Sequence, residues 1–442
     1  MSEEYNAQLS NHSWDLVPPL SSQNVISSRW IFTTKYHPDG RLQRYKSRLV
    51  AKGYNQRYGV DYAEMFSLVI KSTTICLVLD VVVASSWPIK QLDVNNAFLQ
   101  IELTEEVYMA QRQGFIDKDR STHVCKLRKP IYGLKQAPKA WYMALKNHLL
   151  QTGFVNSLAD TSLLIKRTGS SFTYVLVYVD DIIVTGNNAT FVANAGHAFS
   201  DRFSIKDPTE LTYFLGIEAM RTKEGLHLMQ QKYIVDLLTK NNMLDAKPVM
   251  TPLPVVPKLT LRCGSILNDP SQYRSLVGSL QYLSFTRSDI SFAVNRLSQF
   301  MHQPTEDHWN AAKRVLRYLA GTLTHGIFLR ASSPLTLHAF SEADWAGDLD
   351  DYVFTNAYLM YLGNNPISWS SKKQQGVACL STEAEYRSVA NAALEVRWLC
   401  SLLTELGIPL CTDPVIYCDN IGATYQLVRN TSLNTLARSF ST

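Results

Sequence analysis

The chain has 442 residues, of which 46% are hydrophobic and 18% charged, and this composition excludes a disordered, collagen-like or repetitive protein. At roughly 150 residues per domain, the length predicts about three structural units. The net charge is only +5, so the distribution of the basic residues is more informative than their sum.

The sequence gives no sign of membrane insertion, secretion or disulfide bonds. Its most apolar run, Ile75 to Trp87, contains Asp80 and is shorter than the roughly 20 residues of a membrane-spanning helix. Residues 1–10 include two acids and no apolar segment, unlike a secretory signal. The seven cysteines form no CxxC pair, which favours free thiols over disulfides or a zinc site. We therefore expect an intracellular protein without a membrane anchor.

Two segments concentrate basic residues. Between Arg29 and Arg57 lie eight basic residues and one acid, with tryptophan and tyrosine side chains interleaved. The acid-free stretch from Lys126 to Lys139 adds five more basic residues. Such a pattern is typical of a nucleic-acid surface, and a solvated basic face would give the same pattern.

Local patterns in the first half of the chain predict strands. A turn at His37–Gly40 separates two strand-like runs, Trp30–Lys35 and Leu42–Ala51. Further on, residues 175–186 contain two apolar, β-branched half-strands. These patterns predict two hairpins.

The second half begins with a proline-rich linker. Four prolines between Pro248 and Pro257 predict an extended segment and a domain boundary. Beyond it, Thr305 can cap a helix with one apolar stripe that ends at Gly321. From Leu335 onward the pattern predicts an α/β unit with strands, a helix and a final strand, the helix near Thr382–Leu403 and the final strand at Val415–Cys418.

Two adjacent carboxylates, Asp180 and Asp181, lie between the half-strands of the second hairpin. Burying anions in an apolar hairpin is unfavourable unless cations neutralise them, so the pattern predicts a divalent metal or a basic partner. An exposed turn that happens to contain two aspartates is the alternative.

A third carboxylate, Asp93, ends a short strand just before a predicted turn and helix start. Alone, it is explained equally well as a helix-entry aspartate. Two Mg²⁺ ions need carboxylates from separate elements, and a strand-end aspartate with a hairpin pair supplies that arrangement for in-line phosphoryl transfer. The combination therefore predicts a two-metal site.

These carboxylates belong to an ordered series of motifs that resembles the reverse transcriptase of copia-type long-terminal-repeat retrotransposons. The matching stretches extend along nearly the whole chain and are Trp14–Pro18, Tyr45–Gly53, Gln91–Leu99, Ile131–Pro138, Tyr178–Asp181 and Tyr213–Ile217. The resemblance implies an α+β right-hand polymerase with palm, fingers and thumb over residues 1–257, including the linker at 248–257. It further implies a helical connection over 258–330 and an α/β ribonuclease H-like domain over 331–442.

The resemblance also implies catalytic and metal-binding roles. The residues that would bind two Mg²⁺ ions, with Mn²⁺ as the alternative, are Asp93, Asp180 and Asp181. The residues that would contact the incoming nucleotide are Lys46, Arg48 and Gln136. Phe98 would exclude a ribose 2′-hydroxyl, or else be an ordinary core aromatic.

The implied partners are a primed RNA or DNA template and deoxynucleoside triphosphates. Phe214, Leu215 and Gly216 resemble the nucleic-acid-binding primer grip of the family, although a plain strand and turn would look the same. No membrane partner is expected.

Three further carboxylates, Glu342, Glu385 and Asp419, match metal-ligand positions of the ribonuclease H domain that normally follows this polymerase. Family members usually carry aspartate in place of Glu342, and the extra methylene moves the carboxylate by about an ångström. The family's final aspartate and histidine-rich stretch are missing after residues 430–435. Glu385 is also explained by a capping box that starts at Thr382. We therefore expect an inactive ribonuclease H-like domain.

The sequence thus predicts an RNA-directed DNA polymerase that adds deoxynucleotides to a primer 3′-hydroxyl with two metal ions. The alternative is a non-catalytic retrotransposon relic that at most binds nucleic acid. A two-metal nuclease that acts through the C-terminal carboxylates alone ranks third.

Overall fold

The computed structural model describes residues 1–36, 41–65 and 70–429. Helices and strands are mixed within these residues, which confirms the mixed α/β class. Two compact units are formed, one by Met1–Ile70 with Pro88–Glu210 and the other by Lys71–Trp87 with Leu211–Thr442. These units group residues by packing, so the predicted domain boundaries at 257 and 330 stay predictions. The turn predicted at 37–40 and the segment 430–435 lie outside the described residues.

The chain as far as Glu210 contains the helices and strands of the first unit and one helix of the second. In chain order they are α1 (Ser2–Ser10), β1 (Trp14–Val17), β2 (Val25–Ile26), β3 (Ser28–Tyr36), β4 (Leu42–Ala51), α2 (Ser72–Ala84), β5 (Ile89–Asp93), β6 (Tyr108–Ala110), β7 (Val124–Leu127), α3 (Ala137–Gln151), β8 (Val155–Asn156), β9 (Leu163–Thr168), β10 (Ser171–Tyr178), β11 (Asp181–Gly186), α4 (Ala189–Ser200) and β12 (Thr209–Glu210). Helix α2 belongs to the second unit.

A six-stranded sheet with the order β12-β5-β11-β10-β9-β8 organises the first unit. Strands β10 and β11 pair antiparallel and are joined by a two-residue turn, since Tyr178 lies opposite Asp181. The predicted hairpin is therefore confirmed. Val175 and Val177 pack in the same core as Trp141 of α3, because alternate residues of a strand lie on one face of the sheet.

The two strand-like runs before residue 52 form the hairpin β3–β4. The strands pair antiparallel from Ser28 opposite Ala51 to Tyr36 opposite Leu42. Both predicted strands are confirmed. Two smaller sheets accompany the large one, the hairpin β3–β4 itself and a four-stranded sheet with the order β1-β7-β6-β2.

The chain beyond Glu210 completes the second unit. Its elements are β13 (Tyr213–Phe214), β14 (Ile217–Arg221), β15 (Gly225–Met229), α5 (Gln231–Lys240), α6 (Ser271–Tyr282), α7 (Ser291–Ser298), α8 (Glu306–Ala320), β16 (Gly326–Arg330), β17 (Leu337–Asp344), β18 (Thr355–Leu362), β19 (Asn365–Lys373), α9 (Ser381–Leu406), β20 (Val415–Tyr417) and α10 (Ile421–Arg429). No helix or strand lies within Pro248–Pro257, as the linker prediction requires.

Helices α5 to α8 share one apolar core. The capped helix predicted from Thr305 to Gly321 is confirmed as α8, with these two residues as its caps. His308 completes a reciprocal capping box, in which it accepts a hydrogen bond from the Thr305 N–H at 3.0 Å. This contact fixes the start of α8.

The last sheet has the order β19-β18-β17-β20. Strand β20 pairs parallel with β17, and the other pairs are antiparallel. The 26-residue helix α9 packs on this sheet, where the Ser341 hydroxyl of β17 donates to the Ser388 hydroxyl at 3.0 Å. The helix and the final strand predicted from the sequence are confirmed, with α9 extending three residues beyond the predicted end at Leu403.

Among the described residues, no helix combines the length and apolarity that crossing a bilayer requires. The apolar run around Asp80 forms α2, whose side chains are mostly buried in the protein. All seven cysteines are free thiols, as predicted. The predicted intracellular location stays a prediction.

Candidate functional site

Three aspartates meet at one end of the six-stranded sheet. Asp93 is the last residue of β5 and pairs across the ladder with Asp181, the first residue of β11. Asp180 precedes Asp181 in the turn, and its carbonyl accepts a hydrogen bond from the Val94 N–H at 3.1 Å. Asp180 and Asp181 are partly buried, unlike aspartates of an exposed turn. Strand pairing therefore brings the three predicted carboxylates together.

The turn that carries Asp180 has a strained backbone. Val179 adopts a φ of +49°, a left-handed conformation that is rare for β-branched residues. The indole Nε1–H of Trp141 donates to the Val179 carbonyl at 2.5 Å. Strained residues persist only where the surrounding structure holds them, and they cluster at functional sites. Trp141 therefore holds the aspartate turn in place from α3.

The electrostatics of the cluster favour a bound cation. Burial, followed by the charges of Asp180 and Asp93, raises the pKa of Asp181 to about 6. Lys206 forms an ion pair with the Asp93 carboxylate, and its N–H donates to the Asp93 carbonyl at 3.0 Å. Lys206 supplies one positive charge for three carboxylates, and oxygen donors on rigid strands are the ligands that Mg²⁺ and Mn²⁺ prefer. These residues therefore fit a divalent metal site.

A cavity of about 560 Å³ connects the aspartates with the basic strand β4. Lys46 and Arg48 of β4 line it together with the three aspartates and Tyr132. The Arg48 guanidinium lies over the Tyr132 ring, 4.5 Å from its centroid. Five of the predicted site residues thus line one space, in which carboxylates and cations lie together.

Helix α1 contributes acidic residues to the same cavity, which was not predicted. Glu3 and Glu4, in the first turn of α1, are among the lining residues. The helix is tied down by Tyr5, whose hydroxyl donates to the Phe115 carbonyl at 3.1 Å. Negative charge therefore lies near the basic side chains of β4.

Two residues predicted to contact the nucleotide lie outside the cavity lining. Phe98 is buried and contacts Tyr132 edge-on, with ring centroids 4.8 Å apart. Gln136 is also buried, where it accepts a hydrogen bond from Gln56 at 2.9 Å and donates to the Asp61 carbonyl at 3.0 Å. In this conformation Gln136 supports the neighbouring loop, and both nucleotide-binding roles stay predictions.

Phe214, Leu215 and Gly216 form part of a tight hairpin in the second unit. Phe214 is buried and ends β13, while Leu215 and Gly216 have φ values of +50° and +71° in the turn to β14. The Tyr282 hydroxyl donates to the Leu215 carbonyl at 2.5 Å. A Cβ at position 216 would lie 2.4 Å from that hydroxyl oxygen, so this turn requires glycine. Contact with nucleic acid here stays a prediction.

A second acidic cluster lies at β17, α9 and the end of β20. Donor atoms of Glu385, Cys418 and Asp419 all lie within 4.8 Å of one another. Burial, with Glu342 and Asp419 adding negative charge, raises the pKa of Glu385 to about 7, opposed by a hydrogen bond from the Ala343 N–H. The structure therefore brings Glu385 and Asp419 together with the Cys418 thiol, for which no metal was predicted. Glu342 lies near enough for its charge to act on Glu385 but is not part of this group.

The capping explanation for Glu385 is wrong. Helix α9 begins after Leu380, which makes no side-chain cap, so Thr382 lies inside the helix. Glu385 instead accepts a hydrogen bond from the Ala343 N–H of β17 at 3.0 Å. Glu383 is the glutamate that binds the backbone near the start of α9, since it accepts a hydrogen bond from the Cys379 N–H at 2.8 Å.

The basic side chains of the second basic segment have partners within the protein. Lys126 and Arg128 form ion pairs with acidic side chains at 2.5 Å, and Lys139 is also ion-paired. Lys129 donates to the Leu99 carbonyl at 2.7 Å, and Lys135 donates to the Tyr62 hydroxyl. The ion pairs of Lys126 and Arg128 join exposed side chains, so contact of this segment with nucleic acid stays a prediction.

Comparisons with known proteins identify the family to which the chain belongs. A family model described as reverse transcriptase (RNA-dependent DNA polymerase) matches residues 11–255. The chain is 64% and 65% identical, over 426 residues each, to the retrovirus-related Pol polyproteins from transposons RE2 and RE1 of Arabidopsis thaliana. It is 37% identical over 433 residues to the retrovirus-related Pol polyprotein from transposon TNT 1-94 of Nicotiana tabacum.

Each of these three matches covers 96% of the chain. The chain spans 29% of the length of the two Arabidopsis relatives and 32% of the tobacco relative. The chain belongs to the reverse transcriptase family of copia-type retrotransposon Pol polyproteins.

Proposed function

We propose that the chain is an RNA-directed DNA polymerase, in which Asp93, Asp180 and Asp181 hold two Mg²⁺ ions. The observation that carries the proposal is the cavity in which these carboxylates face Lys46 and Arg48. We assign the six-stranded sheet to the palm and the hairpin β3–β4 to the fingers. The thumb falls in residues 211–257, followed by the connection and a ribonuclease H-like domain.

Each group in the cavity has a role in nucleotidyl transfer. Asp93, Asp180 and Asp181 would hold divalent metal ions, as reverse transcriptases use, which would supply activation of the primer 3′-hydroxyl and stabilisation of charge on the triphosphate. Lys46 and Arg48 bind the triphosphate through charge-assisted hydrogen bonds. Trp141 positions Asp180 through the Val179 carbonyl. The primer 3′-oxygen loses its proton to solvent and forms a bond to the α-phosphorus, while the bond from the α-phosphorus to the bridging oxygen breaks and pyrophosphate leaves.

Primer extension on an RNA template tests this proposal. With Mg²⁺ and deoxynucleoside triphosphates, the purified chain is expected to extend a labelled primer, and chelation of the metal should stop extension. A folded, monodisperse chain that binds the primed template without extending it would support the non-catalytic relic instead.

We propose that the ribonuclease H-like domain is inactive. Glu342, in place of the family's aspartate, adds negative charge at Glu385 but is not among the three residues whose donor atoms lie together. Cleavage of the RNA strand in a labelled RNA–DNA hybrid is therefore expected to equal that of an Asp419→Asn variant. Metal-dependent cleavage that is lost in Asp419→Asn would show that the domain is active.

The acids of α1 are expected to weaken nucleotide binding. A Glu3→Gln, Glu4→Gln double variant removes two negative charges that face the proposed triphosphate site. At low salt we expect the Kd for deoxynucleoside triphosphate to fall by about fivefold, since each partly solvated charge contributes roughly 0.5 kcal/mol.

Equilibrium binding of a fluorescent nucleotide measures this effect. The matched control is Glu102→Gln with Glu105→Gln, since neither residue lines the cavity. The gain should shrink as salt rises. Equal Kd values for the parent and the α1 double variant would rule out this electrostatic effect.

A further inference from the structure

A second cavity, of about 310 Å³, lies within the second unit between α2, α6, α7 and β19. Its lining is unusually rich in hydroxyl groups, with seven serines. None of the described lining residues is acidic, and Lys372 supplies an ammonium group. The Ser298 hydroxyl donates to the Val294 carbonyl and the Ser368 hydroxyl donates to the Glu395 carboxylate. The other lining serines, together with Lys372, suit an anion that accepts several hydrogen bonds.

One lining hydroxyl lacks a partner. The Ser291 hydroxyl oxygen is buried and makes no hydrogen bond within the described part of the chain. A buried donor left unsatisfied costs about 1–3 kcal/mol. An acceptor from outside the chain would remove that cost.

Two helices also begin at the cavity. Ser72 is the first residue of α2 and Ser291 the first of α7, and both line the cavity. Neither N-cap residue, Lys71 or Ile290, makes a side-chain capping hydrogen bond. The first N–H groups of a helix have no intrahelical partner, and they favour phosphate. The start of α2 therefore adds to the hydroxyl and ammonium donors, whereas the Ser291 N–H of α7 already donates to the Ser288 carbonyl.

We propose that this cavity binds one phosphodiester group of the nucleic-acid strand. The inference rests on the proposed function, which supplies nucleic acid as the partner. A phosphodiester carries one negative charge, which Lys372 alone can balance, whereas a nucleoside triphosphate carries about four. Trp369, a partly buried lining residue, offers an aromatic face to an adjacent sugar or base.

Salt-dependent binding of a fluorescein-labelled RNA–DNA hybrid tests the proposal. In the Lys372→Gln variant, the slope of log Kd against log salt is expected to decrease by about one, and affinity at low salt by about tenfold. Ser291→Ala is expected to weaken binding several-fold without changing the slope. The matched control is Lys223→Gln, which replaces an exposed lysine outside the cavity lining and should leave both quantities unchanged.

The possible results separate this inference from the proposed function. A parent that extends primers, with Lys372→Gln identical to it in slope and affinity, overturns the phosphate site alone. A parent that fails to bind the hybrid overturns both. Inorganic phosphate or a free nucleotide that loses affinity in Lys372→Gln, while the hybrid does not, would identify a small-molecule site and overturn the phosphodiester assignment.

Discussion

Replacing Asp180 with asparagine is expected to reduce primer extension by roughly 1,000-fold or more, because loss of a metal-binding charge removes several kcal/mol of transition-state stabilisation. Asparagine has nearly the same volume as aspartate. The backbone hydrogen bond between Val94 and the carbonyl of residue 180 does not involve the side chain. The variant should therefore fold, and its defect should lie in the rate of nucleotide addition.

Single-nucleotide incorporation under saturating primed template measures this effect. Asp201→Asn is the matched control, since Asp201 is an exposed aspartate at the end of α4. The control should retain the parent rate. Comparable rates in Asp180→Asn and the parent would contradict the assignment of the metal site.

Replacing Asp80 with asparagine is expected to stabilise the protein at pH 8. Asp80 is 1% exposed within α2, where it accepts a hydrogen bond from the Asn365 amide and its Oδ2 has no hydrogen-bond partner among the described residues. Burial raises the pKa of Asp80 from 3.8 to about 7. Folding therefore favours the neutral acid, which asparagine mimics.

The sign of the pH dependence follows from this raised pKa. Well below the unfolded-state pKa of 3.8 the carboxyl is protonated in both states, so folding carries no ionisation penalty. As the pH rises towards 7, the Asp80 carboxyl ionises in the unfolded chain but stays largely protonated in the folded chain. This difference lowers the free energy of unfolding by about 4 kcal/mol in total. Above pH 7 the penalty is constant. The Asp80→Asn variant has no ionisable side chain at this position and should therefore avoid much of this penalty.

Urea unfolding between pH 5 and 8 measures the difference. The gap between Asp80→Asn and the parent should widen with pH over this range. Asp236→Asn, at an exposed site on α5, should stay within about 0.5 kcal/mol of the parent. A gap that does not change with pH would show that Asp80 ionises normally in the folded protein.

Local patterns in the sequence were sufficient to predict the elements that carry the site. The apolar, β-branched half-strands on either side of Asp180 and Asp181 predict the hairpin, and the end of a short strand locates Asp93. The cap residues Thr305 and Gly321 predicted α8 to within its actual bounds. These signals are local because hydrophobic periodicity and capping depend on residues a few positions apart.

Features that depend on long-range pairing were not predictable from one sequence. Lys206 reaches Asp93 only because Ile205 forms a β-bridge with Val94. The burial of Gln136 depends on hydrogen bonds to Gln56 and to the Asp61 carbonyl. Local spacing carries no information about such partners.

The capping box at Glu385 shows how a local pattern can mislead. Its spacing satisfies the motif, but α9 starts earlier than the motif requires. The hydrogen bond from the Ala343 N–H of β17 decides where the carboxylate lies. A tertiary contact of this kind overrides a short-range sequence signal.

Anomalous diffraction from crystals soaked in Mn²⁺ and a deoxynucleoside triphosphate tests the central claim most directly. The account predicts manganese within coordination distance of Asp93, Asp180 and Asp181, with the triphosphate extending towards Lys46 and Arg48. Manganese bound elsewhere, with the three aspartates free of metal while nucleotide is bound, would contradict the proposed site.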